Sequence, residues 1–301
     1  MLKVENLTKT YRNHAAVNDL SFTVPDGQVT GFLGPNGSGK STTMRMCVGL
    51  EKPTSGSATF DGAEFRGLSD PAAVVGTLLN STWFHPGRTA RAHLMVMARL
   101  AGISGERVDE VLDQVGILQV AGRKVGGYSL GMKQRLGLAC ALLGDPRHIL
   151  LDEPVNGLDP EGVHWMRDKI REFAAEGRAV LVSSHLLSEM SLTADRLVVI
   201  GRGELIGTGT VSEFIGAAGE AVIEAKVDKP EMLRSALAAQ GISAAQDGRS
   251  VTITDSGIDP ATIGELCLEY HIVLSSLTRT TPSLEQAFLG ATSQAVDYRA
   301  I

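Results

Sequence analysis

The residues with the most chemical potential fall in two short runs. The first is Gly34-Pro35-Asn36-Gly37-Ser38-Gly39-Lys40-Ser41, which fits the spacing G-x-x-x-x-G-K-[ST]. A polyphosphate is a dense anion, and side chains would crowd a backbone that wraps it. Gly34, Gly37 and Gly39 let successive N–H groups point inward as an anion-binding nest. A helix expected next adds about half a positive charge at its N-terminus. Lys40 supplies a mobile cation for the β and γ phosphates. Ser41 supplies a hydroxyl for Mg²⁺, a hard cation that prefers oxygen ligands. The second run is Ile149-Leu150-Leu151-Asp152-Glu153-Pro154. It reads as a buried apolar strand that delivers two carboxylates at its C-terminal end, where α/β sheets place ligands. Adjacent residues on a strand point to opposite faces, so two roles are natural. Asp152 would hold Mg²⁺ and Glu153 would polarise a water for in-line attack on the γ phosphate.

These residues need a frame to hold them. Residues 28–33 (QVTGFL) read as a short buried strand running into the glycine loop, with a helix after it through Met44, Val48 and Leu50. The middle third is helical by pattern. Leu94, Met97, Ala98 and Ala101 recur at helical spacing, as do Val108, Val111, Leu112 and Val115, and then Leu136, Ala139, Cys140 and Leu143. HILLD (148–152) and AVLVS (179–183) read as strands buried on both faces of a parallel sheet, with a helix between them through Val163, Met166, Ile170 and Phe173. Alternating strands and helices imply an α/β sheet. The character changes near GAAG (216–219), which reads as a linker. Beyond it an α+β pattern is expected: strands at 221–227, 250–254 and 272–277, helices at 230–240 and 282–289, and a third helix capped by Asp259 with Pro260 at its first position.

A third motif narrows the reading. Tyr128-Ser129-Leu130-Gly131-Met132-Lys133-Gln134-Arg135 stands about 20 residues before the acidic pair. Here the chain resembles the ATP-binding subunits of ABC transporters. Their signature L-S-G-G-Q meets the γ phosphate of a nucleotide held by a second copy. Ser129 and Gly131 match it; Leu130 and Met132 depart from it. The form Y-S-L-G-M-K-Q-R, and TPSLEQAFL at 281–289, resemble the drug and peptide exporter ATPases of that family. The resemblance covers about residues 1–215. It implies an α/β P-loop ATPase core with a helical insertion near 80–145, and leaves a small α+β domain at 220–301. The cofactors implied are ATP and Mg²⁺.

The same resemblance assigns further positions. Asp159, in Asn156-Gly157-Leu158-Asp159, matches the loop that crosses between two subunits. His185, after AVLVSS, matches the histidine that contacts the γ phosphate. Tyr11 matches the aromatic that stacks on adenine. Val17, Pro35, Asn36, Ser38 and Thr42 join the nucleotide-contacting set. Asn80 occupies the place of a metal-touching glutamine, with the same carbonyl oxygen on a shorter stem. Trp83, Phe84 and His85 fall in the loop used against the membrane partner. The partners implied are a second ATPase chain and an integral membrane permease.

Composition agrees with this class. The chain has 301 residues, 43% hydrophobic and 21% charged, enough for about two domains. With 28 basic and 34 acidic residues its formal charge is −6, which argues against a nucleic-acid binder. No apolar run reaches the length of a membrane span, and MLKVENLTKTYRN lacks the apolar core of a signal peptide. Cys47, Cys140 and Cys267 are far apart and odd in number, as in a reducing compartment. A cytoplasmic protein, peripheral on the membrane through its permease, is the expectation. The other histidines show no zinc-ligand spacing, so no structural metal is expected. The rival class is a soluble ABC ATPase acting on ribosomes or nucleic acid. Such proteins carry two cassettes or a long coiled coil, and this chain shows neither.

Overall fold

The computed structural model describes residues 1–12, 14–80, 83–217, 219, 221–254 and 258–292. They divide into two compact units, Met1–Val211 and Ser212–Ala291. The strands of the first unit are β1 (Leu2–Tyr11), β2 (His14–Val24), β3 (Val29–Leu33), β4 (Ser55–Phe60), β5 (Ala63–Glu64), β6 (Val75–Leu78), β7 (His148–Asp152), β8 (Ala179–Ser184), β9 (Arg196–Gly201) and β10 (Glu204–Thr210). A six-stranded sheet runs in the order β10-β9-β3-β8-β7-β6. All neighbours in it are parallel except β10, which turns back along β9.

The central strands are mostly apolar because both faces are covered. Every residue of β3 and β8 is buried. Parallel pairing brings their C-terminal ends together: Leu33 lies opposite Ser184, and Asp152 opposite Ser183. Chemistry carried at those ends therefore meets on one edge. A second, antiparallel sheet has the order β2-β1-β4-β5. Its apolar side chains, among them Leu2, Val4, Leu20 and Phe60, share a core with Phe32, Met44, Leu181 and Ile200.

Three helices, Ala90–Leu100, Glu106–Gln114 and Leu130–Leu142, make up the helical insertion. Leu94, Ala98, Val108, Val111, Leu112, Val115, Leu136 and Ala139 face its interior, whereas Met97 is 43% exposed. The third of these helices packs closely on β6. A Cβ on Gly76 would stand 2.1 Å from Ala141 O, and one on Gly137 would stand 2.4 Å from a Leu78 methyl. No helix among the described residues is long and apolar enough to cross a membrane. All three cysteines are unpaired.

The second unit holds β11 (Val222–Val227), β12 (Ala244–Asp247), β13 (Ser250–Ile253) and β14 (Leu274–Thr280), in the order β12-β13-β11-β14. All pairs are antiparallel. Helices Pro230–Ala239 and Pro260–Glu269 bury Leu233, Leu237, Ile263 and Leu266 against Ile223, Ala225, Val251 and Ile253. Asp259 caps the second helix by accepting the Ala261 N–H at 3.0 Å, as its sequence predicts. Strand β12 is an addition to the sequence reading, and β14 starts two residues later than expected. The GAAG run is not a free linker at its start: Gly216 and Ala217 end a helix, Val211–Ala217, and Ala218 lies outside the described residues.

Candidate functional site

Strand β3 delivers the chain into the loop 34–39, and the helix Lys40–Cys47 leaves it. The glycines here are required by geometry. Gly37 and Gly39 sit at φ 80° and 104°, a left-handed region costly for residues with a Cβ. A Cβ on Gly34 would lie 2.5 Å from both Ile200 O and Ser38 Oγ. The backbone can close around an anion only because these atoms are missing. Asn36, Gly37, Ser38, Gly39, Lys40, Ser41, Thr42, Ala16 and Glu153 surround a cavity of about 200 Å³.

Lys40 is 6% exposed and lies across the loop, its Nζ donating to Gly34 O at 2.6 Å and Pro35 O at 3.2 Å. Burial pushes its pKa down; the charges of Glu153 and Asp152 push back without restoring it. Ser38 Oγ is buried without a hydrogen-bond partner. A buried orphan hydroxyl in a polar cavity is a group kept for a ligand. Ser41 and Thr42 are half-buried at the helix start. The donors here are hydroxyl and carboxylate oxygens, a set that fits Mg²⁺.

The acidic pair faces this loop. Glu153 Oε1 lies 3.9 Å from Lys40 Nζ. Its Oε2 lies 2.8 Å from His185 Nδ1. A carboxylate only accepts, so Nδ1 carries the proton and donates. Glu153 adopts φ 50°, a left-handed backbone costing a non-glycine residue about 1–2 kcal/mol. Its N–H is held by Ser183, through the hydroxyl at 2.9 Å and the carbonyl at 3.3 Å. The same hydroxyl donates to Asp152 Oδ1 at 2.5 Å. Ser183 is absent from the sequence-predicted site, because a pairing across 31 residues leaves no local trace.

Other predicted residues lie elsewhere. Ser129 caps the helix Leu130–Leu142, accepting the Met132 N–H at 3.2 Å. Asp159 caps the helix Pro160–Ala175, accepting the Gly162 N–H at 2.9 Å. The two caps belong to one packed block. A Cβ on Gly157 would stand 2.6 Å from Leu130, Gly131 lies against Leu158, and the Arg135 guanidinium stacks 3.7 Å above Trp165. Neither Ser129 nor Asp159 lines the phosphate-loop cavity of its own chain.

Tyr11 ends β1, 45% exposed, with Lys9 Nζ 4.8 Å from its ring centroid. Burial and a hydrogen bond with Glu51 push its phenol upward. Val17 is fully buried, its methyl facing Gly39, so it supports the loop from beneath. Asn80 follows β6 by two residues. Because Leu78 pairs with Leu151, Asn80 emerges at the same sheet edge as Asp152. Trp83 is 70% exposed, Phe84 packs edge-on to His93, and His85 accepts the Gly87 N–H.

Comparison with known proteins places this geometry. Residues 17–156 match the family described as ABC transporter, and residues 222–285 match one described only as a domain of unknown function. The chain is 36% identical to an uncharacterized ABC transporter ATP-binding protein, YhcH, of Bacillus subtilis, over 98% of this chain and 96% of that one. It is 41% identical to the bacitracin transport ATP-binding protein BcrA of Bacillus licheniformis, over 68% of each. It is 38% identical to the lantibiotic transport ATP-binding protein SrtF of Streptococcus pyogenes, over 68% of this chain and 89% of that one. Among solved structures, an ATP-binding subunit of an ABC transporter superposes with a TM-score of 0.65 at 26% identity, covering 72% of this chain and 92% of the other. Fold, phosphate loop and whole-length likeness agree: the chain belongs to the ATP-binding proteins of ABC transporters, and its activity is that of a nucleotide-binding ATPase driving transport.

Proposed function

We propose that this subunit hydrolyses Mg-ATP in a head-to-tail dimer to drive a separate membrane permease that exports a drug, a peptide or another small compound. The observation that carries the reading is the closed set of Lys40, Glu153 and His185 around the glycine loop. Lys40, the nest at 34–39 and Thr42 bind the triphosphate. Tyr11 stacks on adenine, with Val17 backing the loop. Ser41, Asp152 and Asn80 hold Mg²⁺, which screens the phosphate charge. Glu153 takes a proton from the attacking water, and His185 holds its carboxylate through Nδ1–H; with both ring nitrogens protonated, Nε2–H would donate to the γ phosphate.

Ser129, Gly131 and Asp159 act on the nucleotide of the second copy, which is why they line no part of their own cavity. Binding closes the dimer and hydrolysis reopens it, a switch driven by differential affinity. The export class is supported by the bacitracin and lantibiotic relatives and by the S-L-E-x-A-F-L run at 283–289. Trp83, Met97 and Leu100 are exposed apolar side chains of the helical insertion and are candidates for contact with the permease. The division of labour we infer is an ATPase domain over 1–215 and an accessory domain over 220–301, working at the cytoplasmic face of the membrane.

The test uses the Glu153→Gln chain as bait. Loaded with Mg-ATP and drawn from detergent-solubilised host membranes, it should bring a multi-span protein in stoichiometric amount. Ribosomal proteins or nucleic acid without a membrane protein would move the function to the soluble ABC class.

A further inference from the structure

Asp152 ends one strand and Glu153 follows it, yet a single side chain from the next strand touches both. Ser183 lies opposite Asp152 in the β7–β8 register and is fully buried. Its hydroxyl donates to Asp152 Oδ1 at 2.5 Å and accepts the Glu153 N–H at 2.9 Å. The two bonds fix each other. A hydroxyl has one proton and two lone pairs, and an ionised carboxylate only accepts. The proton therefore goes to Asp152 and a lone pair meets the Glu153 amide. That amide opens the residue held at φ 50°. Burial alone does not recruit such a partner: Thr30, an equally buried hydroxyl on the neighbouring strand β3, has none.

We propose that Ser183 is a positioning residue for hydrolysis. Its hydroxyl fixes the rotamer of Asp152, leaving Oδ2 to meet the cation, and pins the left-handed peptide that aims Glu153 at water. One group on β8 thus ties the metal-holding carboxylate to the proton-accepting one. His185 lies two residues further along the same chain, so β8 positions three members of the site. The inference rests on the roles proposed above for Asp152 and Glu153.

The experiment compares the full-length parent chain with Ser183→Ala, Ser183→Thr, Thr30→Val and Glu153→Gln. It measures steady-state ATP hydrolysis and the affinity for a fluorescent ATP analogue, with Mg²⁺ and with EDTA. Ser183→Ala should lower kcat by about ten- to hundredfold, the loss expected when a hydrogen bond to a charged group is removed. Its affinity in EDTA should match the parent, while the gain in affinity that Mg²⁺ gives should shrink. Ser183→Thr keeps the hydroxyl and should recover most of kcat. Thr30→Val should change neither quantity. If Ser183→Ala does not fold, Ser183→Cys, close in size and a poor donor, carries the same expectation. Parent-like kcat and parent-like Mg²⁺ dependence in Ser183→Ala would overturn the proposal while leaving the site standing. Full turnover by Glu153→Gln would instead remove the roles on which the proposal rests.

Discussion

Strand β7 carries a polar cluster at each end, and the two are built in opposite ways. At its start, His148 is 1% exposed and fully paired. Its Nδ1 donates to Val74 O at 3.0 Å, and its Nε2 accepts from the Met1 ammonium at 3.0 Å. That ammonium also meets Asp61 at 2.5 Å and Asp26 at 2.7 Å. Asp26, Asp61 and His148 group as metal ligands would, but the ammonium is already the cation among them. At the other end, Ser38 Oγ has no partner, Glu153 is held in a left-handed backbone, and Gly37 and Gly39 are bent to positive φ. The first cluster closes its hydrogen bonds and serves the fold. The second leaves valences open, as sites that await a ligand do.

Lys40→Ala gives the largest expected break in this contrast. It removes the buried cation of the open cluster, and Mg-ATP affinity should fall about a hundredfold or more; calorimetry showing parent affinity would remove the phosphate loop from the account. Gly34→Ala comes next. Its Cβ would press on Ile200 O and Ser38 Oγ, and overpacking of this kind should weaken nucleotide binding by about tenfold, read in the same titration. Asn80→Gln restores the longer amide and should keep ATPase activity within about threefold, the range of a tolerated substitution. A large loss would show that Asn80 does not stand where the family's glutamine stands.

The closed cluster should show itself only in stability. Burial holds the His148 imidazole below its usual 6.5, against the pull of the Val74 carbonyl. Below pH 6.5 the unfolded chain then binds more protons than the folded one, so stability falls as pH drops through that value. Burial also pushes the Met1 ammonium down, but hydrogen bonds to Asp26 and Asp61 outweigh it and hold it above 8.0. Its contribution is complete below pH 8 and fades as pH rises through the folded value. The melting temperature should therefore be highest between about pH 6.5 and 8. His148→Leu should flatten the acid limb and leave Mg-ATP affinity within about twofold, as expected for sites with no shared partners. A parallel loss of affinity would mean that the two ends of β7 are coupled.

The legible parts were those written in consecutive residues. The glycine loop announces itself because one backbone segment must wrap the ligand. HILLD and AVLVS announce themselves because burial on both faces leaves a continuous apolar run, with polar residues only at the strand ends. The antiparallel sheet was harder to read. Strand β1 shifts register three times against β2, so its alternation is broken. Strand β12 is four residues with no fully buried position, and left no apolar signal. The largest omissions were contacts between distant segments. Ser183 against Asp152, and His148 against Asp26 and Asp61, depend on which strands become neighbours, and spacing along the chain does not encode that. The same gap hid the packing of Leu130 and Gly131 on the loop at 157–158, which joins two motifs into one block.

If the open end of β7 hydrolyses ATP, Glu153 is the group that accepts the proton from water. Glu153→Gln preserves size and hydrogen bonding while removing the proton acceptor. Binding and turnover of Mg-ATP should be measured side by side on this variant and its parent. Binding should match the parent while turnover falls by at least about a hundredfold, the scale of a lost general base. Turnover at the parent rate with binding intact would contradict it.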